Sequence, residues 1–67
     1  MTSIQLNGEP REFDRGLTVL QLLQELGVPV ETVLVECNRE VLPRAQFETR
    51  PIEDGDVIEL VRFVGGG

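Results

Sequence analysis

The sequence predicts an α+β fold, a mixed sheet of about five strands with one main helix packed on it. Three observations carry this reading. Polar and apolar residues alternate over Thr2-Ser3-Ile4-Gln5-Leu6 and stop at Asn7-Gly8. An apolar stripe of helical period, with cap residues at both ends, runs from Thr18 to Gly27. Two β-branched runs follow, at residues 32–37 and 57–64.

Each element has its own local signal. Ile4 and Leu6 share one face of the first strand. Asn7-Gly8 is a strong two-residue hairpin signal, because both positions tolerate positive φ. The second strand is expected at 11–13, with Pro10 confining it to an edge or to the strand start. Thr18 and Gln21 form a capping box, and Val19, Leu22, Leu23 and Leu26 fall at i, i+3, i+4 and i+7. Gly27 supplies a left-handed C-terminal position, and Pro29 blocks continuation of the helix. Residues 32–37 read as a third strand. A turn at Asn38-Arg39 leads to a short fourth strand at 40–42, closed by Pro43. Residues 44–51 are irregular, with one helical turn around Ala45-Gln46-Phe47. Asp54-Gly55-Asp56 turns the chain into the last strand.

The element order is thus β-β-α-β-β-β. A helix between the second and third strands acts as a crossover and permits parallel pairing of strands distant in sequence. If the last strand lies beside the first at the sheet centre, its end leaves the sheet at a rim. That is the β-grasp arrangement, with a domain at 1–64 and a flexible glycine tail at 65–67.

Composition narrows the function. The 67 residues make one small domain, which buries only about 60% of its unfolded surface. There is no histidine, and all six basic residues are arginines: Arg11, Arg15, Arg39, Arg44, Arg50 and Arg62. The usual near-neutral base, the commonest metal ligand and the Schiff-base amine are therefore missing. A net charge of −6 disfavours nucleic acid and anionic membrane, and favours basic partner surfaces. The single cysteine, Cys37, excludes an internal disulfide and suits a reducing compartment. No apolar run reaches membrane-spanning length. The expectation is a cytoplasmic, non-catalytic chain, monomeric when free.

The most telling stretch is Val64-Gly65-Gly66-Gly67. Glycine weakens secondary structure, so a glycine tail adds nothing to a folded domain. It offers reach instead, carrying an unhindered carboxylate into a narrow cleft. A frayed end is the bland alternative. Next to the tail, Ile58, Leu60 and Val64 share the face that meets the helix, while Val57, Val61 and Phe63 share the other. One helix cannot cover both faces, so the Val-Phe face is a candidate docking surface, and Val64, next to the tail, is counted with Val57, Val61 and Phe63 as a candidate partner contact. The alternative is that loop residues such as Phe47 fold over it.

Asn7-Gly8-Glu9, the run from Thr18 to Leu23, Val35-Glu36-Cys37-Asn38, Val41-Leu42-Pro43-Arg44, Asp54-Gly55-Asp56 and Phe63-Val64-Gly65-Gly66-Gly67 fall in register along the whole chain. Together they resemble the thiamine-pathway sulfur-carrier family, small ubiquitin-like proteins. The resemblance implies that Gly67 is the modified residue. Its carboxylate is adenylated by an E1-like activating enzyme that uses ATP and Mg. A persulfide from a cysteine desulfurase or rhodanese-type donor then converts it to a thiocarboxylate, and thiazole synthase takes the sulfur. The chain itself binds no cofactor in this scheme. Cys37 stands where the family usually has an aliphatic residue.

Several residues have two readings. Cys37 is read as a small core residue rather than a sulfur acceptor, since free cysteine is usually buried. Asp54 and Asp56 are read as turn residues rather than cation ligands, because a calcium loop needs further oxygens at fixed spacing. Pro43-Arg44 is either a partner contact or a strand stop followed by a solvated arginine. Three rival functions stay open: the small subunit of molybdopterin synthase, a ubiquitin-like protein modifier, and an interaction module with an idle tail.

Overall fold

Asn7 and Gly8 both adopt positive φ, 50° and 82°, and between them reverse the chain. The computed structural model describes residues 1–63. Strand β1 (Thr2–Leu6) turns through this pair into β2 (Glu9–Phe13), and Leu6 faces Glu9 across the hairpin. β2 starts earlier than the expected 11–13 and includes Pro10. The reason is positional. Gln5, the partner of Pro10, sends its N–H to Asp56 on the far side of β1. Pro10 therefore occupies a non-hydrogen-bonded pair on an edge strand, where a missing N–H costs no ladder bond.

Helix α1 (Val19–Leu26) has the anticipated caps. Thr18 Oγ1 accepts from the Gln21 N–H at 3.2 Å, and Gln21 Oε1 accepts from the Thr18 N–H at 2.9 Å. Gly27 sits at φ 71°. Its N–H donates to the Gln24 carbonyl, and the Val28 N–H donates to the Leu23 carbonyl. These two bonds form a Schellman motif. The loop completes the helix start from a distance: the N–H groups of Val19 and Leu20 donate to the carbonyls of Arg50 and Phe47, each at 2.9 Å. The amides at the helix start that have no partner within the helix are satisfied in this way.

A 3₁₀ turn at Val30–Thr32 displaces the start of β3 to Val33, so β3 is Val33–Cys37 and Thr32 lies outside it. Thr32 bonds back to the Pro29 carbonyl through both its N–H and its hydroxyl, which holds it in the turn. Asn38 and Arg39 both take positive φ, 53° and 73°, and lead to β4 (Glu40–Val41). β4 is shorter than expected, ending before Leu42. The one helical turn in the following loop spans Arg44–Gln46, and β5 covers Val57–Arg62.

The five strands order as β2-β1-β5-β3-β4. β5 is central, parallel to β1 and antiparallel to β3. Ile4, Leu6, Val33, Val35, Cys37 and Ile58 face α1, where Val19, Leu22 and Leu23 are fully buried. Leu26 and Leu60 pack at the border of this core, and Leu17, Phe47 and Ile52 close its open side. Among the described residues, no helix is long and apolar enough to cross a membrane.

Candidate functional site

Strand β5 determines which residues are presented beside the glycine run. Its alternate residues point to opposite faces, and only one face has a helix on it. Ile58 is fully buried under α1. On the other face Val57, Val61 and Phe63 are 38%, 46% and 58% exposed, although each is large and apolar. Phe63 follows the last residue of β5 and is held by its N–H to the carbonyl of Thr32, just before β3, at 2.9 Å. The half-buried Leu34 stands opposite Val61 on β3. Phe47 does not cover this face. It is 4% exposed and packs in the core on the other side, where its carbonyl helps to cap α1. The candidate residues Val57, Val61 and Phe63 are thus brought together on one open surface. Val64, Gly65, Gly66 and Gly67 lie outside the described residues.

A second cluster lies where the β3–β4 turn meets the start of β5. Asp56 is buried and accepts from Asn38 Nδ2 at 3.1 Å, Arg50 at 3.1 Å and the Glu53 N–H at 2.8 Å. Burial pushes its carboxyl pKa up, but these hydrogen bonds outweigh that and hold it below the ordinary carboxylate value. Asn38 also accepts from the Val57 N–H through Oδ1 at 2.9 Å. Asp54 accepts from the Ser3 N–H at 2.7 Å. Asp56 thus closes its own turn through Glu53 and ties it to Asn38 and Arg50, while Asp54 ties the turn to β1. No cluster of three or more potential metal ligands occurs among the described residues.

Cys37 is buried at the edge of the core. Burial raises its thiol pKa, the nearby Arg50 charge opposes the rise and Asp56 adds to it. A protonated, enclosed thiol is a poor nucleophile. Arg44 is exposed at the start of its 3₁₀ turn and forms no ion pair among the described residues. Sequence reasoning missed Arg50 and Asn38, whose partners lie 6 and 18 residues away from them. No local pattern marks such contacts, and the Asn38-Arg39 turn was the only hint.

Residues 4–67 match the model of the ThiS family. The chain is 45% identical over 62 residues to a thiazole synthase of Paramagnetospirillum magneticum, covering 92% of this chain and 19% of that protein. It is 41% identical over 64 residues to the sulfur carrier protein ThiS of Thermus thermophilus, covering 96% of this chain and 98% of that one. The chain thus spans about a fifth of the thiazole synthases it matches, and nearly the whole of that carrier. Among solved structures, the crystal structure of a thiamine biosynthesis protein (ThiS) from Geobacter metallireducens matches with a TM-score of 0.85 at 40% identity. That match covers 98% of this chain and 100% of the other. The five-stranded mixed sheet with one helix is therefore a β-grasp fold shared with these proteins. With the family model, full-length carrier relatives and this fold in agreement, the chain belongs to the ThiS family of ubiquitin-like sulfur carriers.

Proposed function

We propose that the chain carries sulfur for thiazole synthesis as a thiocarboxylate on Gly67, and is a co-substrate of other enzymes rather than a catalyst. The observation that carries this reading is full-length similarity to ThiS sulfur carriers, joined by similarity to two proteins named thiazole synthase. The exposed Val57, Val61 and Phe63, just before the glycine run in sequence, support it as a docking surface.

A carboxylate is a poor electrophile and needs a leaving group. In the first step an oxygen of the Gly67 carboxylate attacks the α-phosphorus of ATP, held with Mg on an E1-like activating enzyme, and pyrophosphate leaves. The terminal sulfur of a persulfide then attacks the acyl carbon and expels AMP, which gives an acyl disulfide. A second thiol cleaves its S–S bond, forming a new disulfide and releasing the thiocarboxylate. Thiazole synthase receives the sulfur. Cys37 is buried with a raised pKa, so the second thiol comes from a partner. Glycines suit the acyl end, because the absence of side chains leaves the carbonyl carbon open to attack.

The test is the intact mass of the chain after incubation with ATP, Mg, an activating enzyme and a persulfide donor. The expected gain is that of one oxygen exchanged for sulfur, mapped to the peptide holding Gly65-Gly66-Gly67. Deleting Gly66 and Gly67 should abolish it. An unchanged mass, with the same enzymes active on a known carrier, would overturn the reading.

A further inference from the structure

The open face of the sheet carries a charge arrangement that apolar docking leaves unexplained. Glu36 on β3 and Glu59 on β5 stand directly opposite each other in antiparallel register. Side chains so placed leave the same face as neighbours, and like charges there repel. The pair sits inside the apolar patch. Val57 and Val61 flank Glu59 along β5, Leu34 flanks Glu36 along β3, and Val41 is the β4 partner of Glu36. The described residues include all six arginines and the amino terminus, and their ion pairs are Arg15–Glu25 and Arg50–Asp56. Neither Glu36 nor Glu59 has a cation.

We propose that this face docks the activating enzyme through an apolar surface of that partner with a basic side chain at its centre, seated between the Glu36 and Glu59 carboxylates. The inference rests on the reading of the chain as a carrier that docks beside its glycine run, and adds the chemistry of the partner. Charge complementarity selects the occupant. A second copy would bring another Glu36–Glu59 pair and a net charge of −6 against the first. Nucleic acid and anionic lipid are repelled in the same way. A guanidinium or ammonium group turns the repulsive pair into an attractive one, and the valines and Phe63 around it exclude water.

The test compares two variants of equal net charge. Glu36→Gln with Glu59→Gln neutralises the pair. Glu9→Gln with Glu48→Gln removes the same charge off this face, since Glu9 pairs with the helix-facing Leu6 and Glu48 lies in the loop. Affinity for the purified activating enzyme is measured by calorimetry at low and physiological salt, and thermal unfolding is recorded alongside. The face variant should bind about tenfold more weakly, with much reduced salt dependence, while unfolding at the same or a higher temperature. The off-face variant should bind within about twofold of the parent. Equal affinity of the two variants overturns the inference. In that event Val61→Ala with Phe63→Ala separates the causes: weakened binding keeps the docking reading and discards only the basic contact, whereas unchanged binding discards both.

Discussion

The carboxamide of Asn7 bonds both backbone groups of Leu60: Oδ1 accepts from its N–H at 2.7 Å, and Nδ2 donates to its carbonyl at 3.4 Å. β1 ends at Leu6, so the side chain stands in for one more strand residue and prolongs the pairing with β5 past the hairpin turn. The same residue adopts φ 50°, which asparagine tolerates better than most. Asn7→Ala loses both advantages and should cost about 1–2 kcal/mol in urea denaturation. Asn7→Gly keeps the backbone and loses only the bonds, so it should fall between Asn7→Ala and the parent.

Asp56 makes the fold sensitive to acid. Its folded pKa is lowered, so its contribution to stability is complete above its unfolded value, near about pH 4, and is lost as pH falls through the folded value. Denaturation followed from pH 6 to pH 2 should show this loss, and Asp56→Asn should flatten it. At neutral pH, Asp56→Ala leaves the Glu53 N–H without its acceptor and the half-buried Arg50 with only the Pro51 carbonyl and no counter-charge, and should cost about 2–3 kcal/mol.

The helix caps should be separable from the core by mutation. Thr18→Ala removes one side of the capping box, and Gly27→Ala places a side chain at φ 71°. Each should lower stability by about 1 kcal/mol without changing the sheet. Chemical denaturation with circular dichroism at matched conditions checks both.

Cys37 should behave as a hydrophobic residue. Its reaction with a thiol reagent at neutral pH should be slow in the native protein and fast in urea. Cys37→Val should change stability by less than about 1.5 kcal/mol and leave thiocarboxylate formation intact. Loss of sulfur loading in that stable variant would give the thiol a chemical role.

How much of this was legible in the sequence depended on how far each residue's partners lay along the chain. The capping box, the left-handed Gly27 and the Asn7-Gly8 hairpin concern neighbours within a few residues, so their patterns are local. The split of β5 into a buried Ile58 face and an exposed Val57-Val61-Phe63 face also followed from strand alternation and a single helix. The placing of Phe47 did not. Its aromatic ring suits either an apolar outer face or the core, and the choice is made by its carbonyl bond to Leu20, 27 residues earlier. Asn38, Arg50 and Asp56 likewise form one network only after β5 has entered the sheet. The cross-strand meeting of Glu36 and Glu59 needed the register, which no spacing in the sequence reveals.

The central place of β5 also sets an order on biosynthesis. β1–β2 and β3–β4 are each a hairpin, and such pairs are at best marginally stable alone. They share a sheet only through Val57–Arg62, which leave the ribosome after every other strand. A chain interrupted before that point has no sheet to close and no place for α1 to bury Val19, Leu22 and Leu23. Truncated products should therefore remain unfolded and open to proteolysis, so that any chain presenting its glycine run has already passed a test of completeness.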